Sequence, residues 1–273
     1  MTAGRVPNLK LERAMFSAGS VAVAGCDEVG RGSLGGPVSV GMVVVDASTR
    51  RPPAGLRDSK LLAPPARERL VPRIESWSCC WAIGHASAAE IDAIGILRAL
   101  RLAGERALAS LCVPPDLVLL DGNYDWFTRP ERAAASPLAL EPEQVTLKVK
   151  ADLSCASVAA ASVIAKVARD RLMVELASSY PSYGWEANKG YAAPEHRAAL
   201  LEIGPCEQHR RSWHLLLSDG LTAPGDQALE DEELGGGAGC GAVTEVDSGD
   251  AQAGACEAEP PVARRLRPAG ARH

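Results

Sequence analysis

The sequence predicts an α/β protein: a mixed sheet whose first strands are antiparallel, flanked by helices, with a C-terminal helical portion and a disordered tail. Three observations carry this. Two apolar, valine-bearing runs follow each other early, joined by a glycine-dense turn, GCDEVGRGSLGG at 25–36. Short apolar segments then alternate with stretches of helix length, and after about Asp219 the composition changes abruptly.

Taken in order, residues 21–27 and 37–46 read as strands, the second carrying the β-branched run VGMVVV between Pro37 and Asp46. A helix is expected over Pro65–Trp77, since proline suits a first turn, with Pro72 kinking or dividing it. Residues 79–85 predict a third strand. The stretch SAAEIDAIGILRALRLAGERALASL opens on Ser87 with Glu90 three residues later, a capping-box pattern. It predicts helix to about Leu111, broken near Gly95. DLVLLDG (116–122) reads as a short strand ending in an acid. In QVTLKVKAD (144–152) a period of two puts Thr146, Lys148 and Lys150 on one face, which Asp152 continues if the strand persists. SCASVAAASVIAKVARDRLMVEL (154–176) is alanine-rich and apolar over much of its surface, so it is predicted to be the central helix. Residues 14–218 are expected to form one domain. Residues 219–273 hold no Phe, Trp or Tyr and are rich in Gly, Ala, Pro and acids. Such a segment cannot offset its ordering entropy by burial, which predicts a disordered tail.

The net charge of −5 is unevenly spread. Residues 221–273 hold ten of the 34 acids and four of the 29 bases, leaving 24 acids against 25 bases in residues 1–220. The body is close to neutral, so a nucleic-acid partner is not excluded. No apolar run approaches the roughly 18 residues of a spanning helix, and MTAGRVPNLKLERAM lacks the apolar stretch of a secretory signal. A cytoplasmic location is expected. The eight cysteines include no C-x-x-C. Their spacing argues against both disulfides and zinc, and predicts small buried hydrophobes in a reducing compartment.

Gly30, Gly32 and Gly35 spell G-x-G-x-x-G, but no helix opens there to hold a pyrophosphate. The glycines run into Pro37 and a strand, and Asp27–Glu28 would repel phosphate unless metal intervened. P-loop, H-E-x-x-H and G-x-S-x-G patterns are missing from the sequence. The five histidines lack metal-ligand spacing and are read as surface or structural residues.

The acids at strand ends are more informative. Asp27 and Glu28 follow the first strand, Asp121 follows DLVLL, and Asp152 follows the KVK strand. With Arg31, Lys148 and Lys150 nearby, such a set suits hard divalent cations shared between carboxylates and substrate phosphate. Neighbours in a regular strand face opposite ways, so the chain is expected to leave strand geometry at Glu28. Asp170 lies 18 residues beyond Asp152, about 27 Å if helical, and is read as structural, pairing with Arg171 or Lys166. Asp125 is a weaker candidate for metal.

The blocks DEVGRG (27–32), DSK (58–60), LLDG (119–122), KVKAD with SVAAASVIAKVARD (148–170), NKGY (188–191) and HRRSW (209–213) resemble bacterial ribonuclease HII, in that family's order, across about residues 20–214. The resemblance implies a ribonuclease H-like fold. It also implies a metal-dependent endonuclease that cuts RNA in RNA–DNA hybrids and nicks 5′ of ribonucleotides embedded in duplex DNA, giving 3′-hydroxyl and 5′-phosphate ends. It implies Mg2+ or Mn2+, two ions with substrate bound, on Asp27, Glu28, Asp121 and Asp152. Gly30, Arg31 and Gly32 match the loop that senses the ribose 2′-hydroxyl, Tyr191 the tyrosine packing on the junction sugar, and Lys60 a phosphate contact. A monomer is expected, with no membrane partner and no clear clamp-binding motif. Ala192–Ala193 and Trp213–His214 depart from the family pattern and bear on substrate contacts and packing, not on the acids. The alternative is a retired nucleic-acid-binding protein of the same fold. The intact acid set weighs against it.

Overall fold

The computed structural model describes residues 6–128, 140–213 and 215. The segment expected to be a disordered tail lies outside them, as do His214 and His273. Strand β1 (Ala22–Val29) pairs antiparallel with β2 (Val38–Asp46), and β2 with β3 (Cys80–Ala86). On the other side of β1, β4 (Leu117–Asp121) and β5 (Val145–Lys148) add in parallel, giving the order β3-β2-β1-β4-β5. This is the mixed sheet that the sequence predicts.

Period-two alternation splits the strands between two cores. Val23, Val43, Val45 and Leu119 pack toward helix α5 (Ala156–Ser179), while Ala24, Cys26, Met42, Val44, Val118 and Leu120 pack toward α4 (Ile96–Ser110). Ala156–Ala165 are buried without a break, which is why that stretch shows almost no polar face. A Cβ on Gly25 would stand 2.2 Å from the Ser157 carbonyl carbon. Only a hydrogen there lets the start of α5 lie against β1, two residues before Asp27.

Helix α3 (Ala88–Ile94) opens on the expected capping box and is separated from α4 by Gly95. Helix α2 (Pro64–Trp77) runs through Pro72 undivided; that proline is exposed, so its ring displaces no packed neighbour. An unanticipated helix, α1 (Lys10–Ser17), packs on the body through buried Leu9 and Glu12. The Glu12 Oε1 accepts from the Ser157 N–H (3.0 Å) and hydroxyl (2.8 Å), at the end of α5 where a negative charge is favoured. The cysteine reading needs one correction. Cys80 and Cys112 are joined in a disulfide, their Cα atoms 6.2 Å apart, because the loop after α4 returns to the start of β3. Spacing 32 residues apart carries no such information. Among the described residues, no helix is long and apolar enough to cross a membrane.

The C-terminal helices α6 (Trp185–Asn188) and α7 (Pro194–Ile203) enclose a small core around Trp185, Tyr183 and Leu200. Two buried histidines order it. The Cys206 N–H donates to His209 Nδ1 (3.1 Å), His209 Nε2 donates to His196 Nε2 (2.9 Å), and His196 Nδ1 donates to the Tyr191 carbonyl (2.8 Å). Since a carbonyl only accepts and an amide only donates, both rings are held neutral in fixed tautomers. Burial, then repulsion by His196, push the His209 pKa from 6.5 down to about 4. Between those values the unfolded chain binds a proton that the folded chain refuses. Stability is therefore full above the unfolded pKa and falls as pH drops through the window, by at most about 1.4 kcal/mol per pH unit. Urea melts across that range should give a flatter dependence for His209→Gln; equal slopes would refute the assignment.

Candidate active site

The expected acids gather where β1 and β4 end side by side. Cys26 is in register with Leu120, so Asp27 and Asp121 are the next residues on adjacent parallel strands. Glu28 corrects the sequence expectation. Strand β1 keeps its pairing through Glu28↔Val40 and Val29↔Ser39 and turns only at Gly30. The strand pairing persists because β2 offers partners to that point.

Strand β5 ends at Lys148, so alternation does not carry through to Asp152 as expected. Lys150 sits at φ 56°. The chain there is captured by Asp121, whose Oδ1 accepts from the Ala151 N–H at 2.6 Å, while the Gly122 N–H donates to the Lys148 carbonyl at 3.2 Å. That capture delivers Asp152, 4% exposed, beside the other acids. Lys148 is half-buried and Lys150 exposed.

Lys60 arrives from a separate turn. Asp58 caps it by accepting from the Lys60 N–H (3.0 Å), the Ser59 N–H donates to Ser162 Oγ of α5 (3.1 Å), and Arg67 of α2 donates to the Ser59 carbonyl (3.0 Å). Its Nζ stands 3.4 Å from Asp152 Oδ2. Burial works against its charge, but Asp58, Asp27 and Asp152 together raise its pKa.

The electrostatics are those of a site short of positive charge. Burial first, then Glu28 and Asp121, push the Asp27 pKa well above the usual carboxylate value, with Lys60 opposing and Asp152 adding. Burial also raises Glu28, against the pull of Arg31 and with Asp121 adding. Burial, Asp121 and Asp58 raise Asp152, with Lys60 opposing. Arg31 Nη1 is 3.9 Å from Glu28 Oε1. The other oxygen, Glu28 Oε2, is buried and has no hydrogen-bond partner among the described residues. A buried carboxylate oxygen left so is costly unless a cation meets it.

The residues therefore fit a hard cation by charge and by an all-oxygen donor set. Among the described residues, no three Asp, Glu, His or Cys side chains are drawn together closely enough to enclose an ion unaided. Mg2+ does not require such a cage, since it keeps waters and takes one or two carboxylates plus substrate phosphate.

Tyr191, half-buried, lies with its ring over the Arg169 guanidinium (5.3 Å) and the Lys166 ammonium (5.6 Å) of α5. The two secondary acid candidates stand apart. Asp125 caps its own turn, accepting from the N–H groups of Phe127 (2.8 Å) and Thr128 (2.9 Å). Asp170 pairs with Lys166 (2.7 Å) and Arg67 (3.6 Å), while Arg171 turns to Glu68. Sequence reasoning missed Arg169 and Arg210, both fully buried beneath the glycine turn. A basic residue inside an apolar helix, and another after a histidine, gave no local signal of that.

A family model described as Ribonuclease HII matches residues 24–216. The ribonuclease HII of Paracoccus denitrificans is 48% identical over 208 residues, covering 76% of this chain and 91% of the relative. That of Streptomyces avermitilis is 46% identical over 211 residues, covering 77% and 84%. Among solved structures, the ribonuclease H2 from Pyrococcus horikoshii OT3 superposes with a TM-score of 0.56 at 26% identity, covering 72% of this chain and 95% of the other.

Proposed function

The chain belongs to the ribonuclease HII family, and we propose that it hydrolyses the RNA strand of RNA–DNA hybrids and nicks 5′ of ribonucleotides embedded in duplex DNA, with a divalent cation, in the cytoplasm. The observation that supports this most is buried Asp27 under repulsion from Glu28, Asp121 and Asp152, with Glu28 Oε2 unpartnered among the described residues. Asp27, Glu28, Asp121 and Asp152 would hold Mg2+ or Mn2+, two ions with substrate present. When bound, such ions supply a water of lowered pKa and charge at the attacked and leaving oxygens.

The remaining steps fall to the chain's own residues. Lys60, largely exposed beside Asp152, is placed to meet a phosphate of the incoming strand. Arg31, Lys148 and Lys150 add positive charge along the duplex, so binding weakens with salt. Gly30, Arg31 and Gly32 read the 2′-hydroxyl, the one group separating RNA from DNA at a single position. Tyr191 supplies a flat face for the junction sugar. Protonation of the leaving 3′ oxygen gives a 3′-hydroxyl, and the phosphate stays on the 5′ end.

End-labelled duplex DNA carrying one ribonucleotide, beside an all-DNA control, tests this with Mg2+, with Mn2+ and with chelator. A nick 5′ to the ribonucleotide, dependent on metal and missing from the control, is expected. Binding without cleavage would mean a retired site, and equal cutting of the control would remove the role given to the glycine turn.

A further inference from the structure

The turn carrying Gly30, Arg31 and Gly32 is gripped from behind by two cations. Arg169 of α5 and Arg210, which follows α7, are both fully buried. Among the described residues their hydrogen bonds go to no carboxylate. Arg169 donates to the carbonyls of Pro37 (2.9 Å), Gly35 (3.2 Å) and Lys189 (3.0 Å) and to Ser33 Oγ (2.6 Å). Arg210 donates to the carbonyls of Gly30 (2.5 Å), Arg31 (2.6 Å) and Gly36 (3.3 Å). Burying a cation without an anion is expensive, and here the turn's own carbonyl dipoles are the compensation. Burial, then the charge of Arg169, lower the Arg210 pKa to about 9, so it stays cationic at neutral pH.

Every carbonyl so used is turned inward. The planar guanidinium presents five donors at fixed angles, so it sets the direction of each peptide as well as its distance. The two glycines flanking Arg31 then differ: Gly30 is buried and Gly32 exposed. A Cβ on Gly30 would lie 2.0 Å from Arg169 Nε, so that glycine is required by the arginine behind it. A Cβ on Gly32 would meet nothing within 4 Å. Nothing among the described residues demands glycine at 32, and the space in front of it is open. Arg169 also lies under the Tyr191 ring, so one guanidinium supports both the turn and the aromatic face.

We infer that Arg169 and Arg210 are positioning residues for ribose selectivity: by fixing the carbonyls of residues 30, 31 and 35–37 inward, on both sides of Gly32, they hold the Gly32 peptide at the distance from which a 2′-hydroxyl is read. This rests on the proposed reading of the glycine turn. Arg169→Lys and Arg210→Lys keep the charge and remove the fork. Each variant is compared with wild type for kcat/KM on a duplex with one ribonucleotide, and for Ki of the same duplex in all-DNA form. Far-ultraviolet circular dichroism and the rise in Tm with Mn2+ report the fold and the acid site.

The expected result is an intact fold, an unchanged Mn2+ response and an unchanged Ki, with kcat/KM on the ribonucleotide duplex down about a hundredfold. A wild type that shows no preference for the ribonucleotide would sink the proposed function itself. A discriminating wild type with equally discriminating lysine variants would overturn this inference alone. So would failure of both variants to fold, because the arginines would then serve the body as a whole.

Discussion

Asp27→Asn is expected to lower cleavage of a ribonucleotide-containing duplex by about a thousandfold or more while leaving the metal-free protein at least as stable as wild type. The substitution keeps the oxygen that accepts from the Glu28 N–H (2.9 Å) and removes the charge. Burial, Glu28 and Asp121 raise the folded-state pKa of Asp27. A carboxyl with a raised folded pKa stabilises the fold only while protonated, and opposes folding as pH rises from the unfolded value through the folded one. At neutral pH the wild type bears that opposition unless a cation relieves it, and asparagine does not. Urea melts without metal should therefore place the variant above wild type at pH 7 and converge with it in acid. Adding Mn2+ should stabilise wild type more than the variant. Near-normal cleavage by Asp27→Asn would exclude Asp27 as a metal ligand.

Gly30→Ala and Gly32→Ala are expected to fail in different ways. At residue 30 the backbone lies at φ +85° and a methyl would strike the Arg169 guanidinium. Left-handed strain and displacement of a buried cation together should cost about 3 kcal/mol. At residue 32 the methyl enters open space, so stability should move by no more than about 0.5 kcal/mol. Cleavage by Gly32→Ala should nonetheless fall about a hundredfold, because the methyl occupies the space where the ribose must come. Denaturant melts paired with kcat/KM separate the two effects. A fully active Gly32→Ala would mean that the substrate does not approach that peptide.

Much of the fold was legible because local periodicity reports which face of an element is buried. The β-branched run of β2, the Ser87–Glu90 capping box, the break at Gly95 and the apolar α5 all lie where their patterns put them. The acids were legible for a related reason: charged residues that close an apolar run stand near the C-terminal end of a strand, and parallel neighbours such as β1 and β4 bring those ends together. The family blocks added which of them belong to one pattern.

What the tertiary structure alone decided is how those pieces are held. Strand β1 stays paired through Val29 because β2 supplies partners there, and β5 stops at Lys148 because Asp121 captures the following loop. Neither fact is written in the segment it affects. Arg169 and Arg210 show the same limit most clearly. Each donates to carbonyls more than a hundred residues away in the chain, and a buried cation has no local pattern to announce it. A short stretch of sequence determines its own hydrogen-bonding period and its apolar face. Which charge it will meet depends on the free energy of the whole packed chain.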